Sequence, residues 1–160
     1  LGIIRDKTAA LFAAAGMLGA RLSGADAAGA EACRAYGHFV GIAFQIVDDV
    51  LDLAGDEATV GKSLGTDLAK GKMTLPLIRL WSILGAAERI PLQSLLLEGH
   101  GDRNRSFVTG LLADHDVLAY ARERAREYAA EARSALVSLP PSEARESLDA
   151  LADFVVGRSH

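Results

Sequence analysis

A long helical pattern that ends in three aspartates is the feature that most constrains how this chain can fold. Apolar residues recur at helical spacing from Ala27 to Leu53. Near the end of that pattern stand Asp48, Asp49 and Asp52. Positions i, i+1 and i+4 of an α-helix lie within about 100° of arc, so the three carboxylates share one face. Because like charges this close repel one another, the pattern predicts a cation between them.

The neighbouring residues indicate which cation. Carboxylate oxygens suit Mg²⁺, a hard ion that keeps several waters and often shares its coordination shell with a substrate phosphate. Phe44 and Gln45 precede the aspartates, and Lys62 and Lys72 follow them. Lysines can neutralise the outer oxygens of a diphosphate as compact point charges. A solvated acidic helix end is the alternative interpretation of the aspartates alone, and the neighbours favour a site for a metal and a diphosphate.

The rest of the chain also shows helical periodicity, without a strand run or a sequence repeat. We therefore expect an all-α fold in which Asp26 caps the second helix, Pro76 lies near the start of the third, and Ser142 caps the last. Gly37 and Gly41 lie one turn apart and allow another helix or a substrate tail to approach closely. Residues 54–72 are expected to be mostly loop. The expected helices are 3–22, 27–53, 73–84, 91–98, 106–114, 117–139 and 142–158.

Composition limits the classes of partner. The net charge is −4 and no basic stripe with interleaved aromatics is present, which disfavours a nucleic-acid partner. Cys33 is the only cysteine, so no disulfide can form within the chain, as suits a reducing cytoplasm. The uncharged run 8–20 is too short to span a bilayer. We expect a soluble cytoplasmic protein without an integral membrane segment.

Three motifs resemble those of the trans-isoprenyl diphosphate synthases, which form the polyprenyl synthetase family. The pattern GxxFQxxDDxxD occupies residues 41–52, and GKxxGxDLxxGKxTLP occupies residues 61–76. The upstream KTAxLF, at residues 7–12, fits the helix that precedes these motifs in the family. The resemblance covers essentially the whole chain, and the central motif is highly specific.

The resemblance implies a fold, an activity and partners. The fold would be the isoprenoid-synthase bundle, in which antiparallel helices surround a central cavity. The activity would be that of a Mg²⁺-dependent prenyltransferase of isoprenoid biosynthesis. It would condense an allylic diphosphate head-to-tail with isopentenyl diphosphate to make a longer polyprenyl diphosphate. The family is usually homodimeric, so a homodimer is expected.

The resemblance also implies roles for the residues that match the motifs. Asp48 would bind one Mg²⁺ directly, while Asp49 and Asp52 would hold its water shell. Asp67 would orient the lysine-bearing loop. The residues implied in binding or stabilising the substrate are Lys7, Lys62 and Lys72 at the diphosphate, Thr8 and Gln45 near the carbocation, and Phe44 in the substrate pocket.

Family members carry two aspartate-rich motifs, and a search of the remaining acidic residues finds no second one. We therefore expect residues 1–160 to be the C-terminal portion of a single all-α polyprenyl synthetase domain, inactive alone and supplying the second metal–diphosphate half-site. Two alternatives stay open. One is a non-catalytic regulatory or scaffold subunit of a heteromeric prenyl synthase, and the other is a terpene cyclase or head-to-head condensing enzyme of related architecture.

Overall fold

The computed structural model describes residues 8–54, 66–98 and 102–158, and every regular element in these ranges is helical. The all-α prediction is confirmed. None of the described helices is both long enough and apolar enough to cross a membrane. The elements in chain order are α1 (Ala10–Leu22), α2 (Ala27–Ala54), α3 (Thr66–Ala69), α4 (Leu75–Ile83), α5 (Ala86–Glu98), α6 (Asp102–Asp114), α7 (Val117–Leu136) and α8 (Glu143–Gly157).

The predicted caps at Asp26 and Ser142 are confirmed. The backbone N–H of Gly29 donates to Asp26 Oδ1 at 2.8 Å, which satisfies a free amide in the first turn of α2. The N–H of Arg145 donates to the Ser142 hydroxyl oxygen at 3.2 Å at the start of α8. Pro76 lies in the first turn of α4, where a missing N–H costs nothing.

Several boundaries differ from the sequence prediction. Helix α4 spans Leu75–Ile83 and not residues 73–84, α6 begins at Asp102 and not at residue 106, and α7 ends at Leu136 and not at residue 139. Residues 66–69 form the short helix α3, although this part of the chain was expected to be loop. Helix α5 begins at Ala86 and continues through Pro91, which was expected to start it. The cause is a capping interaction, because the Gly85 N–H donates to the Glu88 carboxylate at 3.2 Å. Glu88 is the third residue of α5, the position from which a side chain reaches back to the cap.

The chain divides into two compact units. Of the described residues, unit 1 comprises 8–47 and 123–158. Its core is formed by Tyr36, Val40, Ala43, Ala129, Ala132, Leu136, Ala152 and Val155. The buried Tyr36 hydroxyl donates to the Leu148 carbonyl at 2.6 Å, which ties α2 to α8. Helices α2, α7 and α8 therefore share one apolar core.

Helix α1 packs very closely on α2 within unit 1. A Cβ added at Gly41 would lie 2.7 Å from Ala9 Cα, and one added at Gly37 would collide with the Phe12 carbonyl. The two helices thus approach backbone to backbone, as the sequence predicted for these glycines.

Of the described residues, unit 2 comprises 48–54, 66–98 and 102–122, and it has its own core. The buried members are Leu53, Leu77, Leu80, Leu84, Leu92, Val108, Leu112 and Val117. Leu53 follows Asp52 directly and packs in the same cluster as Leu77 of α4. The carboxylates at the end of α2 are therefore held beside the segment that carries Lys72.

Candidate metal and diphosphate site

Asp49 is a buried carboxylate that has a lysine partner. Its side chain is only 1% exposed, and Lys72 Nζ lies 3.3 Å from its Oδ1. Removing a carboxylate from water costs on the order of 5 kcal/mol. Only an opposite charge and good hydrogen bonds can offset this cost. Lys72 provides that charge from 23 residues further along the chain.

Lys72 is held by a second carboxylate as well. Its Nζ donates to Asp67 Oδ2 at 2.6 Å. Burial alone lowers the pKa of Lys72, but the hydrogen bond to Asp67 and the charges of Asp49 and Asp67 outweigh burial and raise that pKa above its usual range. The side chain is 39% exposed, and an ammonium group has three N–H donors. Lys72 therefore stays charged, and within the described ranges two of its three donors are used.

The backbone around α3 places Lys72 where it can make both contacts. The Lys72 N–H donates to the Asp67 carbonyl at 2.9 Å, and the Gly71 N–H donates to the Leu68 carbonyl at 3.0 Å. Gly71 has φ +63°, so these two bonds and this glycine form a Schellman motif that ends α3. At the other end of α3, the Asp67 N–H donates to Asp52 Oδ2 at 3.0 Å. Asp52 and Asp67 thus fix the short helix that delivers the lysine.

Asp48 and Asp52 differ from Asp49 in exposure. Both are half-buried, and they lie one turn apart on the same face of α2. Among the described residues, the hydrogen bonds of this cluster join three carboxylates (Asp49, Asp52 and Asp67) and one ammonium, a formal excess of two negative charges (three minus one). Among residues 8–54, 66–98 and 102–158, however, no three His, Cys, Asp or Glu side chains are grouped closely enough to hold a metal ion. The metal role of the three aspartates stays a prediction.

Thr8 and Gln45, both predicted to lie near the carbocation, are hydrogen-bonded to each other in unit 1. The Thr8 hydroxyl donates to Gln45 Oε1 at 2.8 Å, across 37 residues of sequence. This bond fixes the orientation of the Gln45 amide.

Phe44 packs between an aromatic ring and a cation in unit 1. The Phe12 ring centroid lies 5.6 Å from that of Phe44, and the Arg158 guanidinium lies 4.3 Å from the Phe44 centroid. Arg158 was not among the predicted site residues. Nothing in its local sequence pointed to Phe44, which lies 114 residues away.

Thr74, two residues after Lys72, was also not among the predicted site residues. Thr74 is buried, and its hydroxyl is the one buried side-chain polar atom of the described residues that has no hydrogen-bond partner. It occupies the N-cap of α4, where Pro76 removes one of the amides that it could have capped. Lys7 and Lys62 lie outside the described residues.

Comparison with known proteins gives the same family by two routes. The Polyprenyl synthetase family matches residues 1–108 of this chain. The octaprenyl diphosphate synthase of Haemophilus influenzae is 37% identical over 158 residues, covering 99% of this chain and 48% of its own length. The short chain isoprenyl diphosphate synthase of Methanothermobacter thermautotrophicus is 38% identical over 159 residues, with the same coverage of both chains.

Comparison with solved structures gives the same family. The polyprenyl synthase from Caulobacter crescentus, complexed with calcium and isoprenyl diphosphate, superposes with a TM-score of 0.92 and 38% identity. The match covers 99% of this chain and 48% of the Caulobacter crescentus chain. A decaprenyl diphosphate synthase from Rhodobacter capsulatus gives a TM-score of 0.90 and 39% identity, with 99% of this chain and 49% of that one covered.

This chain belongs to the polyprenyl synthetase family, and its fold is that of the all-α polyprenyl synthases. The family predicted from the three motifs is therefore confirmed. The chain spans about half the length of the curated relatives that it matches.

Proposed function

We propose that this chain supplies one metal–diphosphate half-site of a prenyltransferase that joins an allylic diphosphate to isopentenyl diphosphate. The observation that carries the proposal is the cluster formed by Asp49, Asp52, Asp67 and Lys72. It combines an excess of negative charge, which suits a divalent cation, with a fixed ammonium group, which suits a phosphate oxygen. Family membership supports the class of reaction.

The carboxylates suit Mg²⁺ in both chemistry and placement. Asp48 and Asp52 are half-buried and one turn apart, so their oxygens can face a hydrated ion from the same side of α2. In the proposal Asp48 binds the ion directly, while Asp52 and Asp49 hold its water shell. When bound, the ion stabilises the negative charge that develops on the departing diphosphate.

Asp49 has a second task in this proposal, which is to aim Lys72. Two of the three ammonium donors are fixed by Asp49 and Asp67, so the direction of the third is fixed as well. That donor can contact a diphosphate oxygen without the entropy cost of ordering a free lysine side chain. Lys62 and Lys7 are proposed to contact other oxygens of the same group.

Gln45 and Thr8 are proposed to face the positive end of the ionised substrate. The dipole of an amide can stabilise a carbocation without reacting with it. The hydroxyl of Thr8 holds the amide oxygen of Gln45 at 2.8 Å and so keeps that dipole in one orientation. Phe44 is proposed to line the substrate pocket. The released diphosphate can take up the final proton, so this mechanism requires no side-chain base.

The chain is proposed to be inactive alone, because these 160 residues contain one of the two aspartate-rich motifs of the family. A scaffold subunit remains the alternative, although a scaffold gains nothing from clustered like charges. The homodimer and the cytoplasmic location remain predictions from the sequence.

Isothermal titration with a non-reactive allylic diphosphate analogue tests the proposal. Wild type is titrated with and without Mg²⁺, and Asp48→Asn is compared with Asp114→Asn. Asp114 is an exposed carboxylate at the end of α6 in the same unit, so its loss changes net charge equally. We expect Mg²⁺-dependent binding that Asp114→Asn retains and Asp48→Asn weakens at least about tenfold, the effect of losing about 1.4 kcal/mol of binding energy. Equal binding by both variants would remove Asp48 from the metal site.

A further inference from the structure

Arg158 is a cation that the proposed half-site does not use. It is the half-buried C-cap of α8, with an extended backbone at φ −62° and ψ 131° that ends the helix. Its Nε donates to the Val155 carbonyl at 3.4 Å, one of the carbonyls that the end of a helix leaves free. A cation at this end also compensates the negative pole of the helix dipole. Capping explains this contact but not the position of the guanidinium group.

The guanidinium group of Arg158 reaches from the end of α8 to Phe44 of α2. It lies 4.3 Å from the centroid of the Phe44 ring, well inside the range of a cation–π interaction. Its Nη2 also donates to the Phe44 carbonyl at 3.5 Å, across 114 residues of sequence. One guanidinium therefore holds both the side chain and the main chain of Phe44, and a helix cap requires neither contact.

The Phe44 ring has a second aromatic neighbour in the same unit. The Phe12 ring of α1 lies 5.6 Å away at an interplanar angle of 37°. Phe12 is itself held in place, because its carbonyl lies where α1 meets Gly37 backbone to backbone. Phe44 is half-buried and packs against the core of unit 1. Its ring is thus held by α1 and by the end of α8.

We propose that Arg158 is a positioning residue that fixes the Phe44 ring for the prenyl chain of the allylic substrate. This inference rests on the proposed function, in which Phe44 lines the substrate pocket next to Gln45. A phenyl ring has no charge and no hydrogen-bonding group, so it suits the hydrocarbon chain of the substrate and not its diphosphate. A wall that is already ordered binds a flexible chain at a lower entropy cost. Loss of Arg158 should therefore weaken binding of the prenyl chain and leave binding of the diphosphate unchanged.

Three variants separate this role from helix capping and from net charge. Arg158→Gln keeps an amide donor for the carbonyls but removes the cation. Arg158→Lys keeps a cation and should restore most of the effect. Arg124→Gln is the matched control, because the Arg124 guanidinium lies 5.4 Å from the Tyr128 ring in the same unit. The control thus loses the same charge and the same kind of contact at a different ring.

Isothermal titration in the presence of Mg²⁺ measures the two parts of the substrate separately. One ligand is a non-reactive allylic diphosphate analogue, and the other is inorganic diphosphate, which has no prenyl chain. We expect Arg158→Gln to weaken binding of the analogue about fivefold, as the loss of a half-buried cation–π contact predicts, and binding of inorganic diphosphate by less than about twofold. Arg124→Gln should bind both ligands like wild type. Equal weakening of both ligands, or unchanged binding of both, by Arg158→Gln would overturn the proposal.

Fluorine NMR of the ligand-free chain tests the contact without the half-site. The five phenylalanines are replaced with 4-fluorophenylalanine, and Phe44→Leu assigns the Phe44 signal. We expect Arg158→Gln to shift and narrow this signal, because the ring loses one of its two contacts, whereas Arg124→Gln should leave it unchanged. An unchanged Phe44 signal in Arg158→Gln overturns the proposal. If wild type binds neither ligand, the proposed function fails, and the fluorine signal alone then decides whether Arg158 fixes the ring.

Discussion

Replacing Lys72 with methionine removes a cation that pairs with the buried carboxylate of Asp49. Methionine keeps most of the volume and flexibility of the lysine side chain, so the change is mainly one of charge. The variant also removes the hydrogen bond to Asp67, which helps to hold α3 against the end of α2. We expect Lys72→Met to destabilise unit 2.

The structure sets the size of the effect. Removing one partner of a fully buried ion pair costs about 3–5 kcal/mol, because the other charge is left uncompensated. Lys72 is 39% exposed and the contact with Asp49 is 3.3 Å, so water already screens part of the interaction. Exposed ion pairs contribute at most about 1 kcal/mol. The expected loss lies between these limits, at about 1–2 kcal/mol.

Urea unfolding of a double-mutant cycle measures this loss. The four proteins are wild type, Lys72→Met, Asp49→Asn and the double variant, and Lys70→Met is the control. Lys70 is exposed and stands two residues before Lys72, so its removal changes the net charge equally. The variant Lys70→Met should change stability by less than about 0.5 kcal/mol.

The double variant gives the sharpest test of the reasoning. Asp49→Asn removes the charge with which Lys72 pairs, so it should cost at least about 1 kcal/mol less in the Lys72→Met background than in wild type. If Asp49→Asn costs the same in both backgrounds, the two side chains do not interact energetically. The proposed role of Asp49 in aiming Lys72 would then be wrong.

Three further predictions concern unit 1. Burial, with the charge of Asp149 as a smaller cause, raises the pKa of Tyr36 to about 12. This contribution to the free energy of unfolding is present below pH 10 and is lost as the pH rises toward 12. In unfolding titrations, the loss of stability over this pH range should therefore be about 1–2 kcal/mol smaller in Tyr36→Phe than in wild type. Gly37→Ala should lower the free energy of unfolding in urea by about 2–3 kcal/mol, because its Cβ meets the backbone of α1, whereas Gly110→Ala, with open space around it, should not destabilise. Ser142→Ala should cost about 1 kcal/mol in the same assay through the lost cap of α8, and an unchanged midpoint would contradict that role.

The sequence predicted the long helices well because their periodicity is strong. Helix α2 ends at Ala54, one residue beyond its predicted end, and α8 begins after the predicted cap Ser142. The four residues of α3 are too few to show any periodicity. Their helical turn is fixed by the bond from Asp67 to Asp52 and by the glycine at its end, and the first of these is a tertiary contact.

The sequence predicted which residue types form the candidate site but not which of their side chains pair with one another. The motif identified the three aspartates and Lys72, yet all three aspartates share one helix face and look alike in sequence. Only the fold distinguishes the buried Asp49 from the half-buried Asp48 and Asp52. For the same reason Arg158 was missed, because its contact with Phe44 depends on where α8 ends.

The close packing of α1 on α2 depends on two residues without side chains. Gly37 and Gly41 act as spacers, since their missing methyl groups set how near the two helices can come. At that spacing the Thr8 hydroxyl lies 2.8 Å from Gln45 Oε1. We therefore expect a methyl group added at Gly37 or Gly41 to move the two helices apart and to change the orientation of the Gln45 amide. Gly37 and Gly41 thus help to set the orientation of the Gln45 amide, which is proposed to face the substrate.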